Sequence, residues 1–485
     1  MKSLIYSTFI TFRECVISVA TVFMLSSCMT VGPDYSPPEM QTPAAWQKEI
    51  EATAQAPSAD DTLASWWTTF NDPVLTTLME GAVSENLSLK EALSRVRQAR
   101  IQRGITGADR FPSVNASGSA GRSYREDAEG DFTGTDSFML GLDASWELDI
   151  FGGVRRSLEA SDAELEATQE SYRNVLVSLL AETATNYIQL RSYQSRLSVA
   201  EANLKTQEET FSITQWRYQA GLTTGLDVER ARANLEGTRA QIPSLKSSLE
   251  KTKNRVAVLL GEPPGFLDKT LEVYKPVPIP PEEIAVGIPA DLLRRRPDLR
   301  KAERDLAAQT ARIGAAKAQR FPRITLSGNI GLDALNLDDL VGRDSLSTGA
   351  SNGISWPVFK AGAIMKNIEL QWELQDQALL AYKGVLLTAL EDVENALTSY
   401  SYELARREYL LKQSQSAQRS AEISRKQYSS GLIDFQSVLD TERSLLSSQD
   451  QVAQSDAQVI INLISLYKAL GGGWQSDSTS FDKES

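Results

Sequence analysis

Two stretches of the chain alternate apolar and mostly polar residues with a period of two. Residues 324–332 carry isoleucine, leucine or glycine at every even position, and residues 138–148 carry phenylalanine, leucine, alanine or tryptophan there. This period predicts β-strands with one apolar face. Segments about ten residues long fit transmembrane strands. They also fit a soluble sheet with one buried face, and periodicity alone leaves both interpretations open.

Very long helical segments follow the alternating stretches. Residues 157–219 contain neither glycine nor proline, and residues 366–427 contain only Gly384. Gly221 and Gly431 then stand where the end of a helix favours a residue with positive φ. The pattern therefore predicts two long helices, each ending in a hairpin-tip turn at its glycine.

Shorter helices are predicted on either side of these long ones. Residues 227–260 and 434–470 return from the two turns, while residues 87–109 and 291–320 open the two halves of the chain. A return helix is about half as long as its outbound partner. We expect the opening helix to stack end to end on the return helix, so that the helices enclose a hollow cylinder.

The two halves of the chain are copies of one plan. Arg110-Phe111-Pro112 returns as Arg320-Phe321-Pro322, an offset of 210 residues, and Trp146 returns as Trp356 at the same offset. A constant offset between distant landmarks indicates a tandem duplication. Each half is predicted to contain an opening helix, a strand pair and a long helix hairpin.

The amino-acid composition argues against most kinds of catalytic site. The chain has no histidine, and its two cysteines are Cys15 and Cys28. Without histidine it lacks the commonest general base and transition-metal ligand, so we expect no catalytic residue, no metal and no cofactor. The net charge of -13 makes the chain a poor binder of nucleic acid.

The N-terminus predicts export and lipid attachment. Positive charge, a short apolar run and small residues precede Cys28, as in a secretory signal peptide. Leu25-Ser26-Ser27-Cys28 resembles a bacterial lipobox, which makes Cys28 the predicted lipid attachment site. The alternative is an ordinary signal peptide with an incidental cysteine. Met29 follows Cys28, and the absence of aspartate there favours retention in the outer membrane.

Two other groups of charged residues are candidates for chemistry. Glu147 and Asp149 are two residues apart on one predicted strand face, as an acid/base pair would be. The polar face of a barrel strand also carries such groups, which is the reading we prefer. The run Arg294-Arg295-Arg296 suggests either a phosphate site or, as we expect, the start of a helix with structural ion pairs.

The predicted strands imply more than one chain. Two strand pairs give four strands with two unpaired edges, and an unpaired backbone group in lipid costs several kcal/mol. Two chains would make eight strands around a filled interior, whereas three would make twelve around a lumen. We predict that Leu140, Leu142, Ile324, Leu326 and Ile330 face lipid and that Asp143, Glu147 and Asn329 face the lumen.

Four segments resemble the TolC-like outer-membrane efflux family in its lipoprotein branch, the NodT and OprM type. They are residues 66–73 (WWTTFNDP), 292–300 (LLRRRPDLR), 313–322 (IGAAKAQRFP) and 466–474 (LYKALGGGW). The resemblance implies an α+β membrane protein in which a trimeric 12-stranded β-barrel continues into a long periplasmic α-helical coiled-coil barrel. It implies an outer-membrane exit duct in a tripartite pump, with a periplasmic membrane-fusion adaptor and an inner-membrane RND-type transporter as partners.

The resemblance also marks a candidate gate. Gln436, Asp440 and Arg443 share one helical face at i, i+4 and i+7, and they resemble the family's constriction at the periplasmic tip. The alternative is a set of ordinary exposed helix charges. The repeat-related residues, 210 positions earlier, are Leu226, Arg230 and Ala233, so the acid exists only in the second half.

The predicted organisation follows from these features. A Walker A phosphate loop is lacking, so the duct is expected to conduct drugs or other toxic small molecules passively. The alternative function is a pore-less, lipid-anchored scaffold or adhesin. The predicted segments are the signal peptide at 1–27, a lipid-anchored tail at 28–65, the first repeat at 66–261, a Pro-rich connector at 262–290, the second repeat at 291–474 and a C-terminal tail at 475–485.

Overall fold

A computed structural model describes residues 30–40, 42–47, 63–126, 130, 132–280 and 295–475. The predicted signal peptide, Cys28, Arg294 and the residues after 475 lie outside the described residues. The chain divides into two compact units. The first comprises residues up to Glu39 with 95–168 and 301–383, and the second comprises residues 40–94, 169–300 and 384 onwards.

Within the described residues, each half of the chain has a helix that leads into a strand pair, then a long helix and a return helix, and the first half has one additional helix at its start. The helices of the first half are α1 (Pro73–Glu85), α2 (Leu87–Ala108), α3 (Gly153–Gln219) and α4 (Gly225–Leu259), and those of the second are α5 (Pro297–Ala318), α6 (Ala363–Ser429) and α7 (Phe435–Ala469). The strands are β1 (Ser113–Glu126) and β2 (Phe132–Leu148) in the first half, and β3 (Arg323–Ala334) and β4 (Leu346–Ser355) in the second.

In the first unit the strands form one antiparallel sheet in the order β1-β2-β3-β4. The register places Leu142 opposite Ile330 and Asp143 opposite Asn329. Residues directly opposite each other in an antiparallel pair lie on the same face. The alternation read from the sequence therefore gives the sheet one apolar face and one polar face.

The first strand pair is longer than the sequence indicated. β2 begins at Phe132, so residues 132–136, which precede the alternating stretch at 138–148, also pair with β1. Thr133 and Thr135 alternate with Gly134 and Asp136. Because neither face of this stretch is apolar, the period of two carries no contrast there, and backbone pairing extends the strand.

The long helices α3 and α6 each contain 67 residues and span about 100 Å. α3 begins at Gly153 rather than at the predicted residue 157. Asp149 accounts for this earlier start, because its carboxylate accepts hydrogen bonds from the backbone N–H groups of Val154 and Arg155. None of the helices in the described ranges combines the length and apolar character that crossing a bilayer requires.

In the second unit four helices pack side by side. Arg239 of α4 pairs with Glu208 of α3 at 3.0 Å. On its other side α3 contacts α7, where Arg196 pairs with Asp450 at 2.7 Å. Arg407 of α6 pairs with Asp456 of α7 at 2.5 Å. These contacts hold α3 and α7 together and position the start of α7, where the candidate gate lies.

Candidate functional site

The turns after the two long helices have the same hydrogen-bonding pattern. Gly221 and Gly431 have φ of 71° and 74°, the left-handed region that glycine adopts without strain. After α3, the N–H of Gly221 donates to Tyr218 and that of Leu222 donates to Arg217. After α6, Gly431 donates to Tyr428 and Leu432 donates to Gln427. This is the Schellman motif, which satisfies carbonyls at a helix end.

Capping residues then start the return helices. Thr224 and Asp227 form a reciprocal capping box at the start of α4. Asp434 caps α7 by accepting from the N–H of Ser437 at 2.9 Å, and this bond lowers the pKa of the Asp434 carboxyl. Beneath the cap, Phe435 packs with Tyr428 in a buried cluster. The start of α7 is therefore fixed by both a cap and a core contact.

The structure brings together only part of the predicted gate. Gln436 Nε2 donates to Asp440 Oδ1 at 3.0 Å, as their i, i+4 spacing indicated. Arg443 instead donates from Nε to Asn234 Oδ1 of α4 at 3.1 Å. Within one chain, the described residues include no ion pair between Asp440 and Arg443. The arginine thus connects the return helices of the two repeats, a contact that helical spacing could not reveal.

The equivalent positions of the first repeat have a different arrangement. Arg230, which stands where the second repeat has Asp440, lies 3.7 Å from Asp227 of its own helix. Arg230 also contributes to the low pKa of Asp434. The first repeat therefore presents a cation where the second presents an acid, and the repeats have diverged at this point.

A buried acid that was not predicted from the sequence lies beside the candidate gate. Glu442 is 4% exposed and accepts a hydrogen bond from Thr210 Oγ1 of α3 at 2.7 Å. Burial raises the pKa of the Glu442 carboxyl, while Thr210 and Arg425 oppose the shift. The signal was present in the sequence, because Glu442 follows Phe435, Val438 and Leu439 on the same apolar face of α7.

We predict that Glu442→Gln stabilises the protein at neutral pH. Because the Glu442 carboxyl has a higher pKa in the folded protein, its contribution to stability is fully present below the pKa of the unfolded chain, near 4.5. That contribution is lost as the pH rises through the folded pKa. The glutamine remains uncharged, so the gain should be about 1 kcal/mol at pH 8 and absent near pH 4. Denaturant unfolding at both pH values measures it. Glu422→Gln, an exposed change on α6, is the control, and an equal gain at both pH values would contradict the prediction.

The placement of Glu147 and Asp149 on one strand face, which the acid/base and the barrel-face interpretations shared, is wrong. Asp149 lies beyond the end of β2 rather than on a strand face with Glu147. Besides its bonds to the start of α3, it forms an ion pair with Arg155 at 3.2 Å. Asp149 is therefore a helix-capping residue. The described residues also contain no group of three or more His, Cys, Asp or Glu side chains that could hold a metal ion.

The ion-pair interpretation of the arginine run agrees with the contacts of Arg296. This buried side chain forms ion pairs with Asp298 at 2.6 Å and with Asp392 of α6 at 3.0 Å. It also donates to the carbonyl oxygens of Ala389 and Ala469. Arg296 thus joins the start of α5 to α6 and to the end of α7, and its hydrogen-bonding groups are occupied by the protein itself.

Comparisons with known proteins agree with this arrangement. The family model described as outer membrane efflux protein matches residues 78–262 and 288–472, two segments offset by the same 210 residues. Nodulation protein T of Rhizobium leguminosarum bv. trifolii is 34% identical over 454 residues, 93% of this chain and 96% of that protein. The pyoverdine export outer membrane protein OpmQ of Pseudomonas aeruginosa is 30% identical over 95% of this chain and 98% of that protein.

A solved structure extends the likeness to three dimensions. The outer-membrane channel OprN superposes with a TM-score of 0.86 at 37% identity, covering 92% of this chain and 100% of that one. The resemblance read from the sequence motifs is thereby confirmed. The chain belongs to the outer membrane efflux protein family, whose members are channels rather than enzymes, and it is a protein of the Gram-negative outer membrane.

Proposed function

We propose that this protein is the exit duct of a tripartite efflux pump. It conducts drugs or other toxic small molecules passively from a periplasmic membrane-fusion adaptor and an inner-membrane RND-type transporter to the exterior. The observation that carries the proposal is the match of the efflux family model to both repeats. The relative named for pyoverdine export supports a small-molecule cargo in that protein.

The proposed assembly is a homotrimer. Within the described sheet, β1 and β4 are edge strands, each paired on one side only. Backbone groups exposed to lipid must be hydrogen-bonded, so the edges must pair with other chains. Three copies of four strands form the twelve-stranded barrel that leaves a lumen. Lipid on Cys28 would provide a second attachment to the outer membrane. For the segments of the chain we propose the boundaries that the sequence predicts.

The faces of the sheet support this assembly. Ser117 Oγ donates to Asp143 Oδ2 at 2.6 Å, and Asp143 lies opposite Asn329, so polar groups cluster on one face. Leu142 and Ile330 are paired on the other face and are exposed in the single chain. An exposed apolar face beside a polar one fits a sheet with lipid on one side and a water-filled lumen on the other.

The proposed gate is formed by Gln436, Asp440 and Arg443. Threefold symmetry would repeat Asp440 as a ring of three carboxylates around the axis, oriented by Gln436. Arg443 would tie each α7 to α4 through Asn234. A ring of carboxylates attracts cations, and the arginine contact holds the helices in the closed arrangement.

Planar-bilayer recordings test the function and the gate together. The wild-type protein should conduct, whereas a pore-less scaffold or adhesin would not. Asp440→Ala and Arg443→Ala should each raise the basal conductance. In the proposed closed trimer Asp440 pairs with Arg443 of the neighbouring protomer, and three such symmetry-related contacts shift the closed-to-open equilibrium by about 1 to 3 kcal/mol, or roughly 5- to 150-fold.

The matched control is Arg230→Ala, at the repeat-related position. It should leave the conductance unchanged. If both gate variants, still trimeric, conduct like the wild type, the tip closes by packing and the proposed gate is wrong, although a conducting wild type would still support the duct.

A further inference from the structure

One end of the sheet gathers residues from all four strands. β1 starts and β2 finishes at this end, where Ser113 lies opposite Ser145. β3 starts and β4 finishes there too, with Arg323 opposite Ser355. The segments that meet at this end are therefore residues 110–112, 320–323 and 356–360. None of the residues in these segments belongs to the proposed gate.

Large apolar side chains are exposed at this end. Phe111 is 70% exposed, Trp356 is 58% exposed and Phe359 is 87% exposed. Trp356 is held in place, because its Nε1 donates to the carbonyl oxygen of Arg320 at 3.0 Å, and Trp146 makes the repeat-related bond to Arg110. Exposed patches of this kind mark binding surfaces, and amphipathic indole rings favour the boundary between water and lipid.

Four cations lie at the same end of the sheet. Arg110, Arg320, Arg323 and Lys360 are exposed, and within the described part of the chain none of their side chains forms a hydrogen bond or an ion pair. Other exposed arginines of the same unit are paired, as Arg103 is with Asp162 at 2.6 Å and Arg122 with Asp136 at 3.4 Å. The end thus offers free positive charge beside exposed aromatic rings.

The carboxylates at this end do not cancel that charge. Asp149 forms an ion pair with Arg155. The remaining carboxylates of the neighbouring segments are those of Asp109 and Glu147, two negative charges compared with four positive ones. The opposite end of the sheet has the reverse sign. Residues 333–344, which complete β3 and follow it at that end, contain one basic and four acidic residues. An anionic surface would therefore attract one end of the sheet and repel the other.

We propose that this basic–aromatic rim (Arg110, Phe111, Arg320, Trp356, Phe359 and Lys360) binds the headgroups of anionic phospholipids in the bilayer leaflet nearest the helices. Arg323 is not part of the rim, because it alternates with Ile324 and lies on the polar face of β3 with Asn329. The aromatic rings enter the boundary between headgroups and acyl chains, and the cations contact the phosphates. The surface fits a bilayer rather than a protein partner, because the apolar and basic groups recur at both repeats around one end of the sheet. The inference rests on the proposed function, which puts the sheet in a membrane.

The experiment measures lipid preference on the full-length protein in vesicles. Brominated phosphatidylglycerol competes with unbrominated phosphatidylcholine, and quenching of tryptophan fluorescence gives the relative binding constant. The wild type should prefer phosphatidylglycerol. The triple variant Arg110→Gln/Arg320→Gln/Lys360→Gln should lose at least about fivefold of that preference, since each cation near a membrane surface contributes roughly fivefold.

The control is Arg122→Gln/Arg125→Gln at the acidic end, which should keep the wild-type preference. An unchanged preference in the triple variant overturns the inference, as does equal binding of the two lipids by the wild type. Loss of the preference in millimolar inorganic phosphate would also overturn it, because the rim would then be a free-phosphate site. Conductance of the same samples separates the two proposals: conducting protein without lipid preference leaves the duct intact, whereas preference without conductance rejects the duct.

Discussion

Replacing Arg296 by alanine should lower the free energy of unfolding by about 3 kcal/mol. The side chain is buried and forms ion pairs with Asp298 and Asp392. Its loss also leaves the carbonyl oxygens of Ala389 and Ala469 without this donor. Breaking a buried pair from one side costs about 3 to 5 kcal/mol. The lower value applies because both aspartates are partly solvated.

Denaturant unfolding followed by helical circular dichroism measures this loss. The control is Lys412→Ala on α6, where the lysine and its partner Glu408 of the same helix are both exposed. An exposed pair of this kind contributes little to stability, because water screens both charges. If the two variants were equally destabilised, the charge itself rather than burial and shared contacts would explain the effect of Arg296.

The repeat and the element types could be predicted from the sequence because they rest on local patterns. The period of two, the long runs without proline and the glycines at 221 and 431 reflect backbone preferences that act within a few residues. Element ends were less accurate wherever a side chain or a neighbouring strand decided them. The start of α3 depends on Asp149, and the start of β2 depends on its pairing with β1.

In the candidate site, too, contacts within one helix could be predicted from the sequence, whereas contacts between helices could not. Gln436 and Asp440 lie on one helix, so their spacing was enough to bring them together. The bond from Arg443 to Asn234 joins two helices whose packing no local pattern specifies. Glu442 was overlooked for a different reason, because an acid on an apolar face looks like an irregularity until Thr210 supplies its partner.

The faces of the sheet can be separated by two arginine substitutions three residues apart on β3. Leu326 lies opposite Trp146 and belongs to the apolar face, whereas Asn329 lies opposite Asp143 on the polar face. An arginine facing lipid near the bilayer midplane costs about 2 to 4 kcal/mol. Leu326→Arg should therefore destabilise the assembled barrel by that amount. Asn329→Arg should change stability by less than about 1 kcal/mol, because the new cation would face the proposed lumen and pair across the strands with the Asp143 carboxylate.

Unfolding in lipid vesicles, together with the fraction of each variant recovered as folded trimer in outer-membrane preparations, measures the difference. The comparison is internally controlled, since both substitutions introduce the same side chain into the same strand. Leu326→Arg should be recovered as trimer far less often than Asn329→Arg. Equal losses would mean that both faces meet the same environment, and a greater loss for Asn329→Arg would mean that the polar face is the one turned toward lipid.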